Sequence, residues 1–126
     1  MKLLFTNILY VKVYVNKFSV KNVSNNGMWA DASPDQAFST ERLLVGKFSA
    51  AEPVLSRLIK EALPKTWLKK RPVVVIQPME KIEGGLSEVE TRIFKELAFG
   101  AGAIKVELHL GNELTDEAVT ALINNG

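Results

Sequence analysis

Residues 71–110, RPVVVIQPMEKIEGGLSEVETRIFKELAFGAGAIKVELHL, constrain this chain more than any other stretch. Val73-Val74-Val75-Ile76 is a short unbroken β-branched run, the pattern of a strand covered on both faces. After a loop carrying Gly84-Gly85, Ser87-Glu88-Val89-Glu90 has capping-box spacing: the serine oxygen takes the N3 amide and the glutamate reaches back to the cap amide. Val89, Ile93, Phe94, Leu97 and Ala101 then mark the buried side of a helix, and Gly100 and Gly102 supply a left-handed stop. Ile104, Val106, Leu108 and Leu110 alternate with Lys105, Glu107 and His109 as a second strand. Strand, helix and strand in that order feed a parallel sheet, because parallel neighbours need a long crossover.

The first third reads as β-structure. In NILYVKVYV, Leu9, Val11, Val13 and Val15 share one face, with Ile8, Tyr10, Lys12 and Tyr14 on the other. Asn16-Lys17 is a two-residue turn into a strand from Phe18 to Val23, and Ser24-Asn25-Asn26-Gly27 turns into a third strand, Met28 to Ala32. Residues 33–48 are ambiguous: Ser33-Pro34-Asp35 suits a short helix, and Glu41 to Val45 a helical turn or an extra strand. Ser49-Ala50-Ala51-Glu52 has capping-box spacing, and Val54, Leu55, Leu58, Ile59, Ala62 and Leu63 form an apolar stripe that Pro64 ends. Thr115 caps a last helix with Asp116 and Glu117 in its first turn and Ala118, Val119, Leu122 and Ile123 facing inward.

The order β-β-β-α-β-α-β-α in 126 residues predicts one α/β domain spanning 1–126, a five-stranded mixed sheet with helices packed on it. A hydrophobic fraction of 47% supports a substantial core. The net charge of +2, from sixteen basic and fourteen acidic residues, is too even to call for nucleic acid or an anionic membrane. The absence of cysteine excludes disulfides, thiolate metal sites and cysteine nucleophiles. No stretch approaches the ~18 apolar residues of a membrane span, so no membrane insertion is expected and a cytoplasmic setting is the default.

This element order is that of the ribonuclease-H-like fold, the unit duplicated in actin and sugar kinases. RPVVVIQP followed by LSEVETRIFKELAFGAGAIKVEL resembles the bacterial actin homologue family MreB. The matching residues are Arg71, Pro72, Val74, Val75, Ile76, Pro78, Ser87, Glu88, Val89, Glu90, Arg92, Ala101, Gly102, Ala103 and Val106, and the segment that holds them covers about a third of the chain. The resemblance implies an actin-like half-domain, but the nucleotide apparatus departs from the family pattern. Where the family places a D-x-G-T phosphate loop in its first hairpin, this chain reads Tyr14-Val15-Asn16-Lys17-Phe18, without Asp or Gly. The family's short V-P-S-G loop is here Gln77 to Gly85, longer and carrying Glu80 and Glu83. The family's glutamate-proline motif after the last strand is replaced by Leu110-Gly111-Asn112.

Individual residues add little chemistry. His109 is the single histidine, and Asp31, Asp35, Glu80 and Glu83 lack the clustering that a two-metal nuclease needs. Gly84 and Gly85, just before Ser87 and the second helix, form the one candidate phosphate cradle. Trp67 between Lys65 and Lys69, with Lys70, is the candidate partner contact, whereas Trp29 reads as a packing residue. No catalytic residue, metal site or cofactor is expected. The expected function is a non-catalytic protein-interaction module that binds another protein or itself as a homodimer, and the resemblance to MreB implies a link to bacterial cell shape or cytoskeleton. The competing reading is a nucleotide- or phosphate-binding protein that completes its site by dimerising, with Gly84-Gly85 at the phosphate.

Overall fold

Five strands and three α-helices make up the computed structural model, which describes residues 7–65 and 71–125. β1 (Ile8–Tyr14), β2 (Lys17–Asn22) and β3 (Ala30–Ala32) form the antiparallel meander. α1 (Phe48–Ala62) crosses over to β4 (Val73–Pro78), which pairs parallel to β1. α2 (Glu88–Gly100) crosses over to β5 (Lys105–Leu108), parallel to β4, and α3 (Asp116–Asn125) follows. The sheet order is β3-β2-β1-β4-β5, so the first strand made is the central one. The architecture is a mixed five-stranded sheet with helices on both faces.

Period-2 alternation decides which helix covers which side chain. Leu9, Val11 and Val13 of β1, Phe18 and Val20 of β2, and Val74 and Ile76 of β4 pack under α1 and α2. Ile8 and Tyr10 of β1 and Val73 and Val75 of β4 pack under Val119 and Ile123 of α3. β4 is buried along its whole length, as its β-branched run requires.

Several boundaries depart from the sequence reading, each for a local reason. The first turn is Val15–Asn16, not Asn16-Lys17: Asn16 takes φ 52°, which asparagine tolerates better than lysine, and Lys17 already pairs with Tyr14. The second turn is a 3-10 turn, Val23–Asn25, capped by the Asn22 side chain, with Asn26 rather than Gly27 in the left-handed region. β3 is therefore shorter than Met28 to Ala32. Residues 33–47 form neither helix nor strand; Phe38, Leu44 and Val45 nonetheless sit in the core, with Phe38 stacked on Phe18 at 4.7 Å between centroids.

The capping box at Ser49 does not form. α1 begins one residue earlier at Phe48 with Lys47 as a cap that makes no side-chain bond. Backbone bonds fix that start instead, since Gly46 and Lys47 both donate to Phe38 O at 2.8 and 2.9 Å. Glu52 is thereby free to lean across α2, where a Cβ on Gly100 would fall 2.3 Å from its Oε2. Leu63 is extended at φ −91° and ψ 139°, as the residue before Pro64 must be. The second box is real: Ser87 accepts from the Glu90 amide and Glu90 accepts from the Ser87 amide. On α2, Val89 is not buried but 66% exposed, and the core face consists of Phe94, Leu97 and Ala98. Only Gly102, at φ 112°, serves as the left-handed stop, and Gly100 closes the helix itself. Thr115 caps α3 through Oγ1, which accepts from Ala118 N at 3.1 Å.

Candidate functional site

α3 leaves the hairpin end of its sheet face uncovered, and the polar chemistry of the molecule gathers there. Lys12 is the fifth residue of β1, on the same face as Ile8 and Tyr10. Its side chain is only 8% exposed, and its Nζ reaches Glu113 Oε2, in the β5–α3 loop, at 2.7 Å. The ammonium also sits 4.3 Å from the ring centroid of Trp29 and 5.5 Å from that of Tyr10. Trp29 and Tyr10 meet at 5.3 Å with a tilt of 59°. Lys21, across the Tyr10 pair on β2, bonds Asp116 Oδ1 at 2.9 Å and brings its charge to 6.0 Å from Trp29.

Beneath this layer, a buried relay of hydrogen bonds holds the β5–α3 loop to the sheet. The Tyr10 hydroxyl donates to Gln77 Oε1 and accepts from Leu114 N at 3.1 Å. Gln77 Nε2 donates to Gly111 O at 2.9 Å. Burial, above all, pushes the Tyr10 phenol up from its ordinary value; the Leu114 amide pulls it down and Glu113 pushes it further up. The Tyr14 phenol is likewise raised, chiefly by desolvation. Among the described residues every buried side-chain nitrogen and oxygen finds a partner. The relay is closed upon itself, so it positions a surface rather than holding a group in reserve.

The edge of this surface is apolar and exposed. Met28 is 89% exposed and Trp29 38% exposed, and both precede β3, which among the described residues pairs only with β2. Ser19 donates to Asp31 at 2.6 Å and fixes the β3 carboxylate over the sheet. Beside the β1–β2 hairpin lies a cleft of about 570 Å³ whose charged lining is Lys17, Asp35 and Glu80. Glu80 accepts from Val15 N at 2.7 Å, latching the hairpin to the loop after β4. Two carboxylates to one ammonium make this cleft a poor place for a phosphate.

Gly84, Gly85 and Ser87 fall together at the α2 N-terminus. Both glycines take positive φ, 79° and 86°, and the Gly85 amide donates to Ile82 O at 2.9 Å. The Ser87 hydroxyl is occupied by its cap bond, and Glu88 and Glu90 stand in the first helical turn. Trp67, Lys69 and Lys70 lie outside the described residues. Their neighbour Arg71 donates from Nε to Gly102 O at 2.9 Å, tying the start of β4 to the α2–β5 connection. His109 is half-exposed, with Nε2 2.9 Å from Asn112 O. Sequence reading missed Lys12, Gln77 and Glu113, although a lysine in the middle of an aromatic and aliphatic strand face was a visible signal.

Among the described residues, no three His, Asp or Glu side chains converge as a metal site, and no helix is long and apolar enough to cross a membrane. No protein-family model matches the chain. Over an alignment 126 positions long it is 35% identical to the "Uncharacterized protein YjaA" of Escherichia coli (strain K12), and that alignment spans 93% of this chain and 97% of that one.

Proposed function

The chain belongs to the same family as YjaA of Escherichia coli, and we propose that it is a non-catalytic protein-interaction module: an actin-like half-domain of ribonuclease-H-like topology, resembling one half of MreB and linked to cell shape or the cytoskeleton. The order of elements supports that topology, with three antiparallel strands extended by two parallel strands on helical crossovers. Residues 71–110 supply β4, α2 and β5, the segment in which the likeness to MreB resides.

The observation that carries an interaction role is Trp29, held half-exposed on the buried Lys12 ammonium beside the open edge of β3. A tryptophan fixed by its neighbours loses little freedom on binding and presents a large apolar face, which is how interface anchors work. The partner is a protein that lays an extended segment along β3 and covers Trp29 and Met28. The alternative, a nucleotide- or phosphate-binding protein completed by dimerisation, draws weaker support from the geometry. Its phosphate would face Glu88 and Glu90 at the α2 N-terminus, where the cap bonds already use the Ser87 hydroxyl and the Glu90 amide.

Two measurements decide between them. Capture from native cell extract with the wild-type chain and with Trp29→Ala, followed by reconstitution with the purified partner, is expected to show a protein bound by the former and lost with the latter. Calorimetry with magnesium ATP is expected to show no heat of binding. Micromolar ATP affinity, or a partner indifferent to Trp29→Ala, sinks the proposal.

A further inference from the structure

The two edges of the sheet differ in what they offer to a second strand. Among the described residues β5 pairs only with β4, so they leave its far side open. His109, just past the strand, donates its amide to Ile76 O of β4 at 3.0 Å. With Ile76 paired to Leu108 and Val74 to Val106, this turns the amide and carbonyl of Glu107 toward β4, and alternation along the strand leaves the amides and carbonyls of Val106 and Leu108 on the open side. Val106, between Lys105 and Glu107, lies in the core under α1 and α2, so both charged side chains project on the α3 face. Among the described residues neither of them enters an ion pair.

We propose that the chain forms a twofold-symmetric homodimer in which β5 pairs antiparallel with β5 of a second copy, centred on Val106. In that register Lys105 of each copy lies directly opposite Glu107 of the other. The twofold repeats the pair: the outward backbone groups of Val106 bond their counterparts in the other copy, and the two Lys105–Glu107 pairs flank them at non-hydrogen-bonded positions, where facing side chains lie closest. Opposite charges placed across a strand pair stabilise it. On the other face Ile104, which is 51% exposed, comes opposite Leu108 of the second copy. The two sheets become one.

β3 cannot do the same. A self-pair centred on its middle residue would set Asp31 against Asp31 of the copy, a like-charge contact that guards the edge. The dimer therefore uses the end of the sheet away from Trp29, and it stands or falls independently of the Trp29 surface.

Sedimentation equilibrium on the full chain tests it. The wild type is expected to dimerise, and Lys105→Glu or Glu107→Lys alone to raise the dissociation constant at least about tenfold, since each substitution acts twice and opposes like charges. An equimolar mixture of the two variants is expected to restore dimers, because every opposed pair in the mixed species is again Glu with Lys. Circular dichroism of each variant separates lost pairing from lost folding, and the mixture rescues only the former. A wild type that stays monomeric to millimolar concentration overturns the proposal. So does a dimer insensitive to both substitutions, or a mixture that fails to associate although both variants are folded.

Discussion

Tyr10 links three segments far apart in sequence: β1, the end of β4 through Gln77, and the β5–α3 loop through Leu114. Tyr10→Phe leaves a buried amide oxygen and a backbone N–H without their partners. It is expected to lower unfolding free energy by about 1–3 kcal/mol, read from urea denaturation. Because burial raises the Tyr10 and Tyr14 phenols above their ordinary 10.0, the folded chain holds these protons more tightly than the unfolded one. Their contribution is complete below pH 10 and is lost as pH rises through the raised values. Unfolding midpoints are thus expected to fall above pH 10, less steeply for Tyr10→Phe. Lys12 behaves differently, because its partner is 60% exposed and water competes for the pair. Lys12→Met keeps the apolar stem against Trp29 and is expected to stay within about 1 kcal/mol of wild type. Glu113→Gln, which leaves the buried ammonium uncompensated, is expected to cost more than Lys12→Met in the same measurement.

The two Ser-x-x-Glu segments make the clearest comparison among the elements. Ser87→Ala removes a working cap and is expected to cost about 1 kcal/mol, whereas Ser49→Ala, inside the first turn of α1, is expected to change stability by less than about 0.5 kcal/mol. Thermal or urea unfolding of the two variants side by side checks the contrast. Both segments have the same spacing, so sequence alone could not tell them apart. What decides is Phe38, whose carbonyl takes the amides of Gly46 and Lys47 and so sets where α1 begins. The same residue explains why 33–47 resisted a periodic reading: it is held by single buried side chains and backbone bonds, not by a repeating face. Phe38→Ala is expected to cost about 3–5 kcal/mol, as a core deletion rather than a loop change, in the same unfolding measurement. The elements of 71–110 were legible because β-branched runs, caps and alternation are local. The Lys12–Trp29–Glu113 cluster was not, because it joins residues of β1, the approach to β3 and the β5–α3 loop that only the sheet brings together.

For the molecule as a whole, the sheet order places the earliest strand in the middle. β1 acquires β2 as a neighbour almost at once, but its other edge waits for β4, which ends at Pro78, 56 residues after β2 ends at Asn22 (78 − 22). At the usual pace of synthesis, about 5–20 residues per second, that wait lasts roughly 3–11 seconds. During it the nascent chain carries a bare edge of Leu9, Val11 and Val13 with no β4 to cover it. A fragment ending at residue 65 is expected to aggregate, as followed by light scattering, whereas one ending at residue 110 is expected to remain dispersed. The position of one strand thus sets how long the growing chain must keep the open edge of β1 from pairing with another chain.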